Sequence, residues 1–171
     1  MTEQYREDAV ASLRPVGVAD IPQVYAFIRE LAEYEKLTHE VVATEADIRV
    51  ALFGPRPYVE CLFACLDGKP VGFALWFHSF STFKGKPSLY LEDIYVRPAV
   101  RGRGLGTRML AELARLAMER GCSRFEWTLL DWNAPSIAFY KGLGAVPADD
   151  WTIYRVTGEA LQKLAARATG F

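Results

Sequence analysis

The stretch Leu91-Glu92-Asp93-Ile94-Tyr95-Val96-Arg97-Pro98 leads into Arg101-Gly102-Arg103-Gly104-Leu105-Gly106-Thr107. An apolar strand ends in acidic residues, a turn stopped by proline follows, and a loop rich in glycine and arginine opens a segment with helical spacing. This order suits an anion. Glycines let the backbone approach a phosphate without interference from Cβ, the first helical turn has N–H groups with no partner, and the helix dipole favours negative charge there. Arg101 and Arg103 add positive charge. Two familiar phosphate loops are excluded. No Lys stands where a P-loop requires one, and the dinucleotide pattern fails at Thr107. What remains is Arg-x-x-Gly-x-Gly, filled by Arg101, Gly104 and Gly106.

Working outward, the apolar spacing Leu105, Met109, Leu110, Leu113, Leu116 and Ala117 predicts a helix from Leu105 to Arg120, ended by Gly121. Phe125–Leu130 is a predicted strand, so Leu89 to Leu130 forms a strand–helix–strand unit and a parallel or mixed sheet is expected. Upstream, a strand at Val10–Pro15 precedes a helix capped by Asp20, with Tyr34, Glu35 and Lys36 at its end. Thr44 and Asp47 have capping-box spacing for a second helix, stopped at Gly54-Pro55. Tyr58–Leu66 and Val71–Phe80 flank the turn signal Asp67-Gly68 and should pair antiparallel. Ser81–Ser88 reads as a loop. Downstream, Asn133 precedes a short helix opened by Pro135 and carrying Ser136 and Tyr140, Trp151–Val156 reads as a strand, and Gly158–Ala168 as a terminal helix. The order predicts a single α/β (α+β) domain over 1–171, with a core from about 10 to 168.

The 171 residues, 51% of them hydrophobic, suffice for one domain with a sizeable core. A net charge of −1 offers no basic excess for a nucleic-acid binder. The charged start and the lack of a long apolar run point away from a membrane and towards a cytoplasmic protein. Three cysteines form no C-x-x-C, and Cys61 and Cys65, at even spacing, should pack on one face. Two histidines give poor support to a metal cluster or a Ser-His-Asp arrangement, so no metal is expected.

These motifs, in this order, resemble the GNAT superfamily of N-acetyltransferases, and among them the diamine enzymes of the spermidine/spermine and thialysine types. The likeness rests on Arg29–Glu35, Leu89–Val96, Arg101–Thr107 and Trp132–Lys141, and runs from roughly Leu13 to Leu164. It implies the GNAT fold, a mixed and mostly antiparallel twisted sheet flanked by helices. It also implies acetyl-CoA as co-substrate and a homodimer, in some members with exchanged C-terminal segments. The loop Ala148-Asp149-Asp150-Trp151 departs from the spermidine/spermine pattern by being shorter, with Asp150 where those enzymes carry Glu.

An amine is protonated at neutral pH and must lose a proton before attacking a thioester. Glu92, where the central strand meets the loop, is the expected base, directly or through water, and the resemblance assigns it the same role. Asp93 should point to the opposite face by strand alternation. Tyr140 is the expected acid for the CoA thiolate. Direct transfer through a tetrahedral intermediate is expected, since no cysteine sits in a nucleophile motif.

For acetyl-CoA, the pantetheine arm should align with the backbone of Ile94, Tyr95 and Val96. The pyrophosphate belongs on Arg101, Gly102, Arg103, Gly104, Leu105, Gly106 and Thr107. By resemblance, Asn133 and Ser136 complete the cofactor site. A cationic amine should meet Tyr34, Glu35, Glu92, Glu126, Trp127, Asp150 and Trp151, which join carboxylates to aromatic faces. Other acceptors (an amino acid, an antibiotic, a protein N-terminus) and a non-catalytic acyl-CoA sensor are the alternatives.

Overall fold

A computed structural model describes residues 8–168. It divides into two compact units, one running to Thr128 and one starting at Leu129. The first holds a five-stranded sheet in the order β1-β2-β3-β4-β5, with β1 Ala11–Pro15, β2 Glu60–Leu66, β3 Lys69–Ser81, β4 Lys86–Val96 and β5 Phe125–Trp127. Strands β1 to β4 pair antiparallel and β4 pairs with β5 in parallel. The mixed, mostly antiparallel sheet is therefore the expected one.

Two helices cover one face. Helix α1 (Ile21–Tyr34) buries Ile21, Val24 and Phe27, and α2 (Glu45–Phe53) buries Leu52. They close a core over Cys61, Phe63, Cys65, Phe73, Leu75 and Tyr95, in which the Phe27 ring meets Phe63 edge-on at 5.6 Å and stacks on Phe73 at 5.7 Å. Both cysteines thus share a face, and burial pushes the Cys61 thiol up. Helix α3 (Leu105–Glu119) buries Leu105, Met109, Leu110, Leu113 and Ala117 and contacts β4.

Local chemistry accounts for most boundaries. The capping box of α2 forms as the spacing predicts, Thr44 Oγ1 accepting from the Asp47 N–H at 3.3 Å and Asp47 accepting from the Thr44 N–H at 2.8 Å. The turn between β2 and β3 holds both Asp67 and Gly68 at positive φ, 48° and 77°, as a tight hairpin demands. Gly72 is required by close approach, because a Cβ there would lie 2.5 Å from the Tyr95 carbonyl oxygen.

Three expectations are corrected in this unit. Asp20 does not cap α1 with its side chain; the Arg14 guanidinium takes both carboxylate oxygens, at 2.7 and 2.8 Å, and the Gly17 N–H adds a third bond. That guanidinium holds Asp20 below the usual carboxylate range. Ser81–Ser88 is not an open loop, since β3 and β4 stay paired down to Ser81 and Lys86 and close in a short turn with Gly85 at φ 60°. Strand β5 stops at Trp127 rather than Leu130.

In the second unit, α4 (Ala134–Gly142) follows Asn133, and α5 spans Gly158–Ala165. The predicted strand Trp151–Val156 is absent. Its alternation suits a strand, but a strand exists only through a ladder, and among the described residues no backbone hydrogen bond reaches residues 152–156. No described helix is long and apolar enough to cross a membrane.

Candidate active site

The two halves of β4 have different surroundings. Leu89, Tyr90 and Leu91 lie between β3 and β5, opposite Phe125, Glu126 and Trp127. Beyond Leu91 the parallel pairing ends, while β3 continues to Val96, which lies opposite Gly72. Among the described residues no strand lies against the outer edge of β4 at Ile94, Tyr95 and Val96. That edge offers backbone groups to an extended, amide-bearing arm.

The change falls at a β-bulge. Leu75 pairs with Asp93 and Trp76 with Leu91, so Glu92 is the extra residue on β4. A bulge interrupts the alternation of side chains and re-aims them locally. The simple alternation that would set Asp93 opposite Glu92 therefore does not apply here. Glu92 is exposed, whereas Asp93 is half-buried and pairs with core residue Leu75. Burial, then the Glu92 and Glu35 carboxylates, push Asp93 up to about 7. Glu35, at the C-cap of α1, is raised by burial as well. The carboxylates of Glu92 and Glu35 thus both act on Asp93 beside the unpaired edge, an arrangement that favours a cation. The sequence reading of Asp93 as an electrostatic or structural residue agrees with this coupling, and its partner Glu35 on α1 is what the sequence does not show.

The loop after β4 meets the requirements for an anion. Gly102 and Gly104 adopt φ of 80° and 75°, in the left-handed region where side chains are strained, although a Cβ at either would meet open space. Glycine is needed here for conformation, not for room. Gly104 is the N-cap of α3, and the first bond of the helix, from the Arg108 N–H to the Gly104 carbonyl at 2.9 Å, leaves the N–H groups of Leu105, Gly106 and Thr107 in the unpartnered first turn. These donors and the glycine cradle fit a pyrophosphate. The Arg101 side chain, expected to add charge, folds back: its Nε–H donates to the Val96 carbonyl at 2.9 Å, and its guanidinium lies over the Tyr34 ring at 4.8 Å and the Tyr95 ring at 5.7 Å.

Of the remaining acceptor residues in this unit, Trp127 sits opposite Leu91 and next to Phe125 at 5.1 Å. The Glu126 carboxylate is engaged by Arg124 at 2.7 Å and accepts from the Ser79 hydroxyl at 3.4 Å. Among the described residues no group of His, Cys, Asp or Glu is placed to hold a metal ion.

In the second unit Asn133 is buried and caps α4, its side-chain oxygen accepting from the Ser136 N–H at 3.4 Å. Tyr140 is half-buried on α4, with its ring 5.3 Å from Phe139. Asp150 and Trp151 follow in an exposed stretch, where the Trp151 N–H bonds the Ala148 carbonyl at 3.1 Å.

This unpaired strand edge leads into a glycine cradle at a helix start, and residues 22–145 match the acetyltransferase (GNAT) family. The chain belongs to that family. It is 39% identical over 170 residues to a thialysine N-epsilon-acetyltransferase from Bos taurus, a match covering 93% of this chain and 99% of the relative. To the human spermidine/spermine N(1)-acetyltransferase-like protein 1 it is 32% identical, over 90% of this chain and 23% of that longer protein. Among solved structures, an integron cassette protein from the mobile metagenome of V. cholerae matches with a TM-score of 0.76 and 29% identity, over 91% of this chain and 97% of that one. The protein is an N-acetyltransferase of the GNAT fold, and acetyl-CoA is the family's co-substrate.

Proposed function

We propose that the enzyme transfers an acetyl group directly to a primary amine of a small diamine, polyamine or thialysine-like amino acid. The observation that carries this reading is the bulge at Glu92, which gathers Glu92, Asp93 and Glu35 beside the open edge of β4. Like charges held together in a partly buried place are destabilised, and an incoming ammonium relieves them. The names of the thialysine and spermidine/spermine relatives point to the same acceptor class.

In this reading Glu92 removes the ammonium proton, directly or through a water, and the freed lone pair attacks the acetyl carbonyl. Its exposure gives that proton a route to solvent. Tyr140 protonates the departing thiolate. The pantetheine arm lies along Ile94–Val96 and the pyrophosphate on the N–H groups of 102–107. Asn133 and Ser136 complete the cofactor site, and Tyr34, Glu126, Trp127, Asp150 and Trp151 contribute to the acceptor site.

We propose further that residues 1–171 form one domain, since the family match runs across the Thr128–Leu129 boundary, and that the enzyme is a cytoplasmic homodimer. The exposed apolar side chains of the second unit, among them Trp151, Ile153, Tyr154, Leu161 and Leu164, support the dimer. A panel of amines offered with acetyl-CoA, read by CoA release, tests the function: diamines, polyamines and thialysine should turn over best. Turnover confined to amino acids, antibiotics or peptide N-termini would contradict the acceptor class, and none with any amine would point to an acyl-CoA sensor.

A further inference from the structure

The cofactor motif places Arg101 in the loop, yet its guanidinium stacks on two tyrosine rings. Three contacts hold it: the Val96 carbonyl, at the end of the open edge of β4, and the faces of Tyr34 and Tyr95. Tyr34 is the last residue of α1, on the helix end that carries Glu35. Four residues earlier on the same helix, Glu30 accepts from Arg97 through both carboxylate oxygens, with Nε at 3.0 and 3.2 Å and a terminal nitrogen at 2.7 Å. Arg97 in turn lies over the Phe27 ring at 4.9 Å. The face of α1 bearing Phe27, Glu30 and Tyr34 is thus pinned to the segment joining β4 to the loop at two points, Arg97 and Arg101.

The two points differ in what they can transmit. Arg97 is anchored on the helix body, whereas Arg101 belongs to the loop that would take the pyrophosphate and rests on the ring expected to face the amine. A planar guanidinium stacked on a ring and bonded to a carbonyl is held in orientation as well as by charge.

We propose that Arg101 is a positioning residue that couples the two substrate sites: a cofactor fixing the loop also fixes Tyr34, and with it the wall for the acceptor amine. This rests on the acceptor reading given above. It assigns Arg101 a task different from neutralising phosphate, and the two tasks separate in measurement. If Arg101 acts on Tyr34, Arg101→Gln raises the amine KM about fivefold at saturating acetyl-CoA, the scale of a partly exposed cation–π contact, with kcat within about twofold. The effect persists in a Tyr34→Phe background, which keeps the ring, and disappears in Tyr34→Leu. A rise confined to the KM for acetyl-CoA would overturn the proposal.

A second readout needs no turnover. The amides of Glu35, Lys36 and Leu37 are bonded to the carbonyls of Leu31, Glu33 and Ala32 at the end of α1, and their hydrogen exchange reports how firmly that end is held. Saturating CoA should slow their exchange severalfold in the unaltered enzyme. In Arg101→Gln, CoA should slow residues 102–107 and leave 35–37 unchanged. Arg101→Lys, which keeps the charge and loses the Nε–H bond to Val96, should give an intermediate slowing and serves if the Gln variant fails to fold. No slowing at 35–37 in the unaltered enzyme, or equal slowing in the variants, would overturn the coupling. If the unaltered enzyme acetylates no amine, the acceptor reading fails, and the exchange measurement still decides whether Arg101 links loop and helix.

Discussion

The lower and upper halves of β4 are continuous in sequence and differently paired. From Leu89 to Leu91 the strand is flanked on both sides, and Leu89 and Leu91 are 0% and 1% exposed. From Asp93 to Val96 no strand among the described residues pairs with the outer edge, and the bulge at Glu92 separates the halves. A closed ladder contributes stability; an open one leaves backbone groups for a ligand. Changes below the bulge should therefore cost folding, and changes at or above it should cost turnover, binding or pH behaviour.

The largest effect is expected at the bulge. Glu92→Gln should lower kcat/KM about a hundredfold or more at neutral pH and move the pH profile upward, because the amine must then lose its proton unaided; unfolding by denaturant should barely change. A rate and pH profile like those of the unaltered enzyme would place the base elsewhere. Next is Leu91→Ala, one residue below, which should destabilise the fold by about 2–5 kcal/mol through lost burial and a cavity, with kcat per folded molecule retained. If Leu91→Ala instead costs kcat with no loss of stability, the contrast between the halves breaks.

Asp93 sharpens the comparison through pH. Its carboxyl holds a proton up to about 7 in the fold and only to about 4 in an unfolded chain. Between those values the native state binds more protons than the unfolded one, so stability falls as pH rises through that window and levels off above it. Glu35, raised by burial, acts in the same direction. Asp93→Asn should remove up to about 4 kcal/mol of that decline between pH 4 and 8, read by denaturant titration at several pH values. An unchanged slope would mean that Asp93 ionises normally. The smallest effect is expected at Gly104→Ala, where φ of 75° makes a side chain strained by about 1–2 kcal/mol. Acetyl-CoA affinity should fall severalfold as the loop relaxes.

Much of this was legible in sequence because it rests on short-range chemistry. The capping box at Thr44 and Asp47, the Asp67-Gly68 hairpin and the glycine loop before α3 depend on residues a few positions apart. What was not legible depends on partners distant in sequence. The bulge at Glu92 is a mismatch of register with β3, Asp93 owes part of its shift to Glu35 on another element, and Arg101 turns to a ring 67 positions earlier. Asp20 was misread for the same reason: as a cap it needed only its own helix, and Arg14 on β1 claimed it. Residues 151–156 carry a strand's alternation, but alternation specifies a face and not a neighbour.

We propose that the unpaired edge of β4 and the loop that follows it form one surface for acetyl-CoA, and a crystal structure of the enzyme with CoA tests this directly. The account predicts the pantetheine amides bonded to the backbone of Ile94–Val96 and the pyrophosphate on the N–H groups between Gly102 and Thr107. CoA bound away from that edge, or with its pyrophosphate off this loop, would contradict it.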